Sequence, residues 1–404
     1  RTLWGGDKSV VYYGSIDATP HFLRLIGSYC QRYGNDILQT RIRLRSGHKL
    51  SMTVVVENAL TWLIEKLEAS STGLLEYRSN GIPGFENQAW KDSLEFYVHE
   101  SGQYVNHQGP IVSVEVQGLV YDALLAGAEL FPDRATDLVN RARIVRDGTI
   151  WLLWQPQRNY FALGADHTND GEIRIINTLT ANPAALLDTR IFDALPELHR
   201  QEYVSGIVKM IMSKEFLTDA GIRSRGVSGA NLIPFWDYHG SFTTWPKETY
   251  DIAKGLKRQG FPLLARELEN RLLNMLFKTW EYPEFLYVDQ WGRIMSVSPS
   301  NHAHGEITFI DSPNTPERTQ AWTVSAMMAI MSDRLHAKIQ SAKPLGRSNW
   351  QITLEQRTLA SIPRINRILN PLKLRTALKL KKYALKEENS KKSASTVTKK
   401  TAKV

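Results

Sequence analysis

The stretch that decides the fold is residues 111–131, which read IVSVEVQGLVYDALLAGAELF. Its apolar residues recur at the three- and four-residue spacing of one helix face, at Val116, Leu119, Val120, Ala123, Leu124 and Gly127. An apolar face this broad is typical of a helix that packs inside a larger helical domain. The pattern therefore predicts one long helix, around which the rest of the chain can be interpreted.

The same periodicity predicts helices on both sides of this stretch. They cover about residues 53–69, 134–146, 196–214, 262–279 and 317–340, and two more begin at Thr19-Pro20 and after Trp245-Pro246. Thr19 has the residue type of an N-cap and is followed by proline, which favours the first helical position. Residues 151–177 are the exception, because short apolar runs there predict strands or a hairpin. The sequence thus predicts an all-α domain with a small β-hairpin insertion.

The positive charge of the chain is confined to its C-terminal end. The 404 residues include 50 Lys and Arg against 41 Asp and Glu, a net charge of +9. Residues 371–404 hold 11 of the basic and 2 of the acidic residues, so the rest of the chain is neutral. A tail of this composition cannot bury a core and is predicted to be disordered. Nucleic-acid binding would rest on this tail alone, so a nucleic-acid partner is not expected.

Cysteine content and hydropathy indicate the environment of the protein. Cys30 is the one cysteine, so no intramolecular disulfide is possible, and its place on an apolar helical stripe predicts a packed core thiol. No run of about 18 apolar residues occurs, so no membrane-spanning helix or membrane partner is expected. We expect a cytoplasmic protein. The chain starts at Arg1 without a signal-peptide pattern, and we expect a further domain before it.

Polar and aromatic stretches between the helices hold the candidate chemistry. Residues 84–93, GFENQAWKDS, could grip sugar hydroxyls with their amides and stack a sugar ring on Trp90, while Asp92 protonates a leaving oxygen. The alternative is a solvated loop with a helix cap at Asp92 or Ser93. Residues 12–20, YYGSIDATP, are by residue type alone a loop and helix cap.

Other candidate groups are less specific. Glu115 and Gln117 are polar at the start of an apolar helix, where such residues serve either as caps or in a site. Residues 216–246 and 280–316 are long connections rich in aromatic and acidic residues, and long connections in compact domains often carry function. Glu284 follows a proline that would hold it rigidly, although a Pro-Glu pair alone is common.

Taken together and in order, these clusters resemble the glycogen debranching, or amylo-α-1,6-glucosidase-like, proteins. The start of the family's toroid is similar to residues 12–20 almost letter for letter. The family's Asn-Gln-Gly-Trp-Lys-Asp-Ser resembles residues 87–93, with Ala89 in place of glycine, and its Val-Glu-Val-Gln-Gly-Tyr-Val-Tyr resembles residues 114–121. The second half matches shorter pieces of the family's motifs, at residues 219–224, 238–246, 282–286 and 320–322.

This resemblance covers about residues 10–340 and implies an (α/α)6 toroid, the six-hairpin fold of related glycoside hydrolases. It implies a catalytic domain over residues 1–345, followed by a peripheral helical extension over 346–370 and the basic tail over 371–404. The domain expected before Arg1 would be the family's N-terminal β-rich domain. Loops at one end of such a toroid form the funnel that receives the substrate.

The resemblance implies an inverting glycoside hydrolase of carbohydrate metabolism, acting on α-1,6 branches or short α-glucan oligosaccharides. Asp92 would be the general acid and Glu284 the general base, about 6.5–9.5 Å apart. The implied substrate contacts are Tyr13, Asp17, Asn87, Gln88, Trp90, Lys91, Glu115, Gln117, Arg223, Tyr238, His239 and Trp245. No cofactor is implied, and no metal site is predicted because His302, His304 and Glu306 match no strong ligand spacing.

Two alternative functions stay open at this point. The first is a toroid glycosidase for another sugar, such as a mannoside or a disaccharide, because residues 237–246 diverge where substrate selection is expected. The second is a carbohydrate-binding protein that has lost catalysis. If Glu284 is not the base, Glu281, Asp289 or Glu306 become the candidates.

Overall fold

The computed structural model describes residues 2–5, 8–11, 14–44, 46–79, 81, 86–233, 237–295, 316–334, 337–344, 350–356 and 366–368. The α-helices in these ranges are α1 (Ala18–Tyr33), α2 (Met52–Ala69), α3 (Val114–Leu130), α4 (Ala135–Leu153), α5 (Glu197–Ile211), α6 (Pro246–Arg258), α7 (Pro262–Thr279) and α8 (Ala321–Arg334). Tyr13, the triplet of His302, His304 and Glu306, and the tail over 371–404 lie outside the described residues.

The strands are short and form several small antiparallel sheets. They are β1 (Thr2–Gly5), β2 (Lys8–Val11), β3 (Arg41–Arg43), β4 (Lys49–Ser51), β5 (Glu76–Tyr77), β6 (Ile111–Ser113), β7 (Trp154–Gln155), β8 (Tyr160–Phe161), β9 (Gly164–His167), β10 (Ile173–Ile176), β11 (Leu217–Thr218), β12 (Gly221–Ile222), β13 (Thr243–Thr244), β14 (Leu286–Tyr287), β15 (Ala337–Pro344), β16 (Trp350–Gln356) and β17 (Asn366–Ile368). One of the sheets among these strands has four members, in the order β10-β9-β6-β5.

Helix α3 is the centre of the core, as the breadth of its apolar face predicts. Nearly all of its residues are buried, and it packs against α1 and α4. Gly27 of α1 permits the close approach, because a Cβ atom there would lie 2.6 Å from the Cβ of Ala126 on α3. A larger residue at position 27 would push the two helices apart.

Helices α6 and α7 pack against each other and form a second helix pair. Helix α6 also packs against the 3₁₀ helix Asn182–Asp188, which in turn contacts α3. This contact matters for the site, since it places the N-terminal turn of α6 and Asn182 near the segment that carries Asp92. The antiparallel pairing of β13 with β14 then joins residues 243–244 to residues 286–287, on the far side of α6 and α7 in the sequence.

The predicted helices are present, with corrections at several of their ends. Thr19 is not the N-cap of α1, because the helix begins one residue earlier, at Ala18, with Asp17 at the cap. Residues 151–153 belong to α4 rather than to a strand, since Leu152 and Leu153 continue its buried face; the hairpin prediction is confirmed for 154–176. Residues 111–113 form β6 rather than the first turn of α3, because they pair with β5 and β9. Helix α8 covers Ala321–Arg334 and is shorter than the predicted 317–340 at both ends.

The chain divides into two compact units, Arg1–Thr323 and Val324–Val404. In the second unit β15, β16 and β17 form an antiparallel sheet. The helical prediction for residues 346–370 is therefore wrong at β16 and β17. The reason is visible in β16, where Trp350, Ile352 and Leu354 alternate with polar residues at the period of a strand.

The described part of the protein is thus mainly helical with small sheets, and the complete toroid stays a prediction. Cys30 is buried on α1, as the apolar stripe predicts. None of the described helices combines the length and apolar character needed to cross a bilayer.

Candidate active site

The segment that carries Asp92 shows a strict alternation of burial. The buried members are Asn87, Ala89, Lys91 and Ser93, and the half-buried members between them are Gln88, Trp90 and Asp92. The segment is not a strand, because the Asn87 side chain reaches the Ser93 carbonyl and closes residues 87–93 into a loop. Its buried members form the inner side of this loop, which the protein holds, and its half-buried members Gln88, Trp90 and Asp92 form the outer side.

Short polar residues fix both ends of the inner side. The Asn87 amide donates to the Ser93 carbonyl at 2.8 Å and accepts from the Tyr77 hydroxyl at 3.0 Å. The Ser93 hydroxyl lies 3.1 Å from Asp237 Oδ1 and 3.1 Å from His239 Nδ1. These bonds attach segment 87–93 to the loop 237–245, which contains three of the predicted substrate contacts, Tyr238, His239 and Trp245.

Lys91 occupies the middle of the inner side and is completely buried. Its ammonium group forms an ion pair with Glu248 and donates to Asn182 Oδ1 at 2.7 Å. Nζ also lies 4.9 Å from the ring centroids of Trp90 and Phe96. Because all of these partners are inside the protein, Lys91 supports the site and does not face a substrate as the resemblance implied.

Trp90 is the central aromatic residue of the outer side. Its indole Nε1 donates to Glu115 Oε2 at 3.0 Å, which fixes the plane of the ring. The ring packs edge-on against Trp245 at 5.5 Å between centroids, and Lys247 Nζ lies 4.5 Å from its centroid. A half-buried indole held in this way is suited to stacking on the apolar face of a sugar.

Asp92 receives a hydrogen bond from a second residue of the loop. The Tyr238 hydroxyl donates to Asp92 Oδ1 at 2.6 Å. Burial raises the pKa of Tyr238, and the charge of Asp92 raises it further, so the phenol remains a donor. The contact holds one oxygen of the Asp92 carboxyl in place.

Glu284 is the second candidate carboxyl in the neighbourhood of Tyr238. Its backbone N–H donates to the Glu317 carbonyl at 2.9 Å, and the Glu317 N–H donates to Glu284 Oε2 at 3.3 Å. Burial raises the pKa of Glu284, and the nearby charges of Glu317 and Asp92 raise it as well. Glu284 and Asp92 both also raise the pKa of Tyr238, so the two carboxyls lie within electrostatic range of one phenol.

Loop 237–245 brings these parts together with an aromatic wall. His239 stacks on Trp245 at 4.7 Å between centroids, and Trp245 lies 5.1 Å from Phe285, the residue after Glu284. The indole of Trp245 donates to the Tyr238 carbonyl at 2.8 Å. Burial and the charges of Lys91 and Arg225 lower the pKa of His239 well below its usual value, so its ring is neutral. Trp245 and His239 are buried, and both contact Tyr238.

Glu115 is an unusual carboxyl at the edge of the site. It is 5% exposed, and among the described residues its Oε1 has no hydrogen-bond partner. Burial raises the pKa of Glu115 to about 7, although the charge of Lys91 opposes the rise. Glu115 can therefore carry a proton near neutral pH while its other oxygen still holds Trp90.

Two predicted substrate contacts, Gln117 and Arg223, form their hydrogen bonds with the protein backbone instead. The Gln117 amide bonds to both the N–H and the carbonyl of Leu75, each at 2.9 Å. Arg223 is fully buried and donates to the carbonyls of Ser241, Asp289 and Gln290 at 2.7–2.9 Å. We assign both side chains to support of the surrounding loops, since their polar groups meet backbone rather than open space.

The remaining predicted contacts have partners of their own. Asp17 is buried and accepts from the Ser15 hydroxyl at 2.7 Å, and its charge raises the pKa of Glu115, which places it near that group. Gln88 donates to the Arg78 carbonyl at 2.6 Å and is on the outer side of segment 87–93. Of the predicted contacts, Tyr238 is hydrogen-bonded to the Asp92 carboxyl, and Trp90 is hydrogen-bonded to Glu115.

Several groups of the site were missed by the sequence analysis. Glu248 and Asn182 are the partners of Lys91, and Asp237 forms a buried ion pair with Arg225 at 2.7 Å. Lys247 lies over Trp90 and forms an ion pair with Asp251 at 3.1 Å. In the sequence, Glu248 is recognisable only as an acidic residue in the first turn of the helix that follows Trp245-Pro246. Acidic residues are common in exposed first turns, so the sequence does not predict that Glu248 is buried.

No protein-family model matches the chain, and no curated protein matches it. Among solved structures, the chain is similar to GH63 mannosylglycerate hydrolase from Thermus thermophilus, with 17% identity and a TM-score of 0.36 over 57% of this chain and 46% of that one. It is also similar to neutral trehalase Nth1 from Saccharomyces cerevisiae, with 14% identity and a TM-score of 0.37 over 55% of this chain and 38% of that one. A sialidase gives 13% identity and a TM-score of 0.42 over 59% of this chain and 21% of that one. The chain spans less than half the length of these proteins.

Proposed function

We propose that this protein is an inverting glycoside hydrolase, with Asp92 as general acid and Glu284 as general base. The observation that supports the proposal is that Asp92 accepts a hydrogen bond from the Tyr238 hydroxyl and that Glu284 is near enough for its charge to act on the same phenol. Trp90 beside Asp92 supplies the aromatic surface on which a sugar ring would stack.

The chemistry needs two carboxyl groups in opposite protonation states. Protonated Asp92 gives its proton to the glycosidic oxygen as the bond to the anomeric carbon breaks. Ionised Glu284 removes a proton from a water molecule, whose oxygen forms the new bond to that carbon from the opposite face. The products are a sugar of inverted configuration and a free hydroxyl on the leaving group, and the two carboxyls have exchanged roles as proton carriers.

The substrate class we favour is an α-glucan branch or a short α-glucan oligosaccharide. The support is the resemblance of residues 87–93 and 114–121 to the debranching family, and the neutral charge of the chain outside its tail, which suits an uncharged ligand. The bond cleaved would be α-glucosidic, and the half-buried Gln88 amide is a group that would meet sugar hydroxyls.

The experiment is a hydrolysis assay of the full chain on maltooligosaccharides and branched dextrins, with α-mannosides and disaccharides in parallel. We expect Asp92→Asn and Glu284→Gln each to lower kcat by about 10²–10⁴-fold. Proton NMR of the first sugar released identifies the anomer, and an inverted anomer is expected. If the parent protein cleaves none of these glycosides, the proposal fails; if Glu284→Gln keeps full activity, Glu284 is not the base.

The pH profile provides a second check on Glu284. A base must be ionised to act, and burial raises the pKa of Glu284 above its usual value. Activity should therefore fall on the acid side as the pH drops through this raised pKa, at a higher pH than for a solvent-exposed glutamate.

A further inference from the structure

The buried ammonium group of Lys91 is the strongest feature that the proposed reaction does not use. Removing a charged amine from water is costly unless a counter-charge and hydrogen bonds replace the water. Here Glu248 provides the counter-charge, Asn182 accepts a further bond at 2.7 Å, and two aromatic faces cover Nζ. The Lys91 ammonium group therefore has a counter-charge, a hydrogen-bond acceptor and two aromatic neighbours inside the protein, next to the candidate site.

Glu248 connects this cation to other parts of the fold. It belongs to the first turn of α6, and its second oxygen accepts from the Ser224 hydroxyl at 3.1 Å. Asn182 starts the 3₁₀ helix that packs on α6. The cluster of Lys91, Glu248, Asn182 and Ser224 therefore links four separate segments of the chain at one point.

Lys91 connects this cluster to the candidate site, because its sequence neighbours are the stacking residue and the candidate acid. Lys91 stands between Trp90 and Asp92, and burial alternates along segment 87–93. Fixing the Lys91 side chain also fixes the backbone that Trp90 and Asp92 share with it, and Lys91 Nζ lies 4.9 Å from the centroid of the Trp90 ring. The Glu248 carboxylate thus sets where Trp90 and Asp92 lie, without facing the outer side itself.

We propose that Glu248 is a positioning residue that, through its ion pair with buried Lys91, holds the candidate acid Asp92 and the stacking residue Trp90 in reactive geometry. The proposal rests on the assignment of Asp92 as the acid. It adds a residue of α6 to the functional set, and it gives Lys91 a role other than substrate contact.

The first test compares Glu248→Gln with a matched control. Glutamine keeps the shape and an acceptor oxygen but removes the charge that pairs with Lys91. We expect kcat to fall by about 10–100-fold with KM changed by less than about threefold, because small misplacements of a reacting group are costly. The control is Glu100→Gln, at an exposed ion pair with Arg158, which should leave both constants as in the parent. A folded Glu248→Gln protein with kcat within about twofold of the parent overturns the proposal.

A double variant separates positioning from fold stability. In Lys91→Met with Glu248→Leu both charges are removed, and such apolar replacements of buried pairs are often neutral for stability. If the pair positions Asp92, the double variant stays low in kcat although its thermal midpoint returns to that of the parent. If kcat recovers together with stability, the pair only supports the fold and the proposal is wrong.

A third measurement does not depend on turnover. Fluorine NMR of protein labelled with 5-fluorotryptophan reports on Trp90, whose signal is assigned by its loss in Trp90→Phe. We expect Glu248→Gln to shift or broaden that signal, and Glu100→Gln to leave it unchanged. Should the parent cleave no glycoside, the hydrolase proposal fails, while a moved Trp90 signal still supports positioning and an unmoved one contradicts it.

Discussion

The two candidate catalytic carboxyls are held by different kinds of interaction. The Asp92 segment is anchored by buried charge, through Lys91 with Glu248 and through the Ser93 contact to Asp237, itself paired with Arg225. The Glu284 segment is held mainly by backbone hydrogen bonds to residues 317–320. Buried ion pairs fix geometry at a high desolvation cost, whereas backbone bonds are individually weaker. Asp92 should therefore be the more rigidly placed carboxyl and the one more damaged by a single substitution.

The largest expected effect tests the charged side of this comparison. Lys91→Met leaves the buried Glu248 carboxylate without its counter-charge, and we expect a loss of about 3–5 kcal/mol in the free energy of unfolding. Urea denaturation at neutral pH measures it. The exposed pair offers the control, since Glu100→Gln should cost less than about 1 kcal/mol. A loss for Lys91→Met as small as that of the control would remove the distinction between the two segments.

The next effect is a pH dependence of stability from Glu115. Its pKa is raised to about 7 in the folded protein, so folding favours its protonated form. This contribution to stability is fully present below the unfolded pKa and is lost as the pH rises through about 7, at a slope of up to about 1.4 kcal/mol per pH unit. We expect Glu115→Gln to lose less stability than the parent between about pH 5 and pH 8 in urea denaturation. Parallel profiles for the two proteins would contradict the buried, proton-carrying carboxyl.

A smaller effect is expected where the two segments meet, at Tyr238. Tyr238→Phe removes the donor 2.6 Å from Asp92 Oδ1. Because a hydrogen bond to a carboxyl group fixes its orientation, kcat should fall about tenfold. Steady-state kinetics at saturating substrate measure this, with Tyr33→Phe on the exposed end of α1 as the control. A phenylalanine variant as active as the control would mean that the Asp92 carboxyl is oriented without the phenol.

The smallest effect concerns the backbone-held side. The Thr323 hydroxyl donates to the Pro283 carbonyl at 2.7 Å, next to Glu284. Thr323→Val leaves that carbonyl without this donor and should cost about 1 kcal/mol in thermal or urea unfolding. Thr279→Val removes an intrahelical bond in α7 instead and is the matched control for loss of a hydroxyl. A cost for Thr323→Val that rivals that of Lys91→Met would show that both carboxyls are equally constrained.

The helices could be predicted because each buries a continuous face whose period is visible locally. Helix α7 begins at Pro262 and ends at Thr279, as its leucine spacing predicts. The ends were less predictable, as Thr19 and residues 151–153 show, because capping residue types and apolar runs fit more than one structure. In β16 the sequence carries the alternating period of a strand, at Trp350, Ile352 and Leu354, although the helical prediction covers these residues.

The candidate site was predictable in its residue types but not in their directions. Residues 87–93 were recognised as a cluster, yet only the structure separates Lys91 from Trp90 and Asp92 by side. Arg223 shows the same gap, because nothing local reveals that its donors meet backbone carbonyls. The Glu248 partner of Lys91 is 157 residues away in the chain, so only the packing of α6 could bring the pair together.

The hydrogen bond from the Asn87 amide to the Ser93 carbonyl constrains the length of segment 87–93 more tightly than its composition. This bond closes the segment into a loop, and the Ser93 hydroxyl is itself held at Asp237, so the number of residues between the two ends is fixed. Inserting or deleting a single residue there would move Lys91 away from Glu248 or Asp92 away from Tyr238. Among variants of this chain, insertions and deletions should therefore be excluded from this stretch.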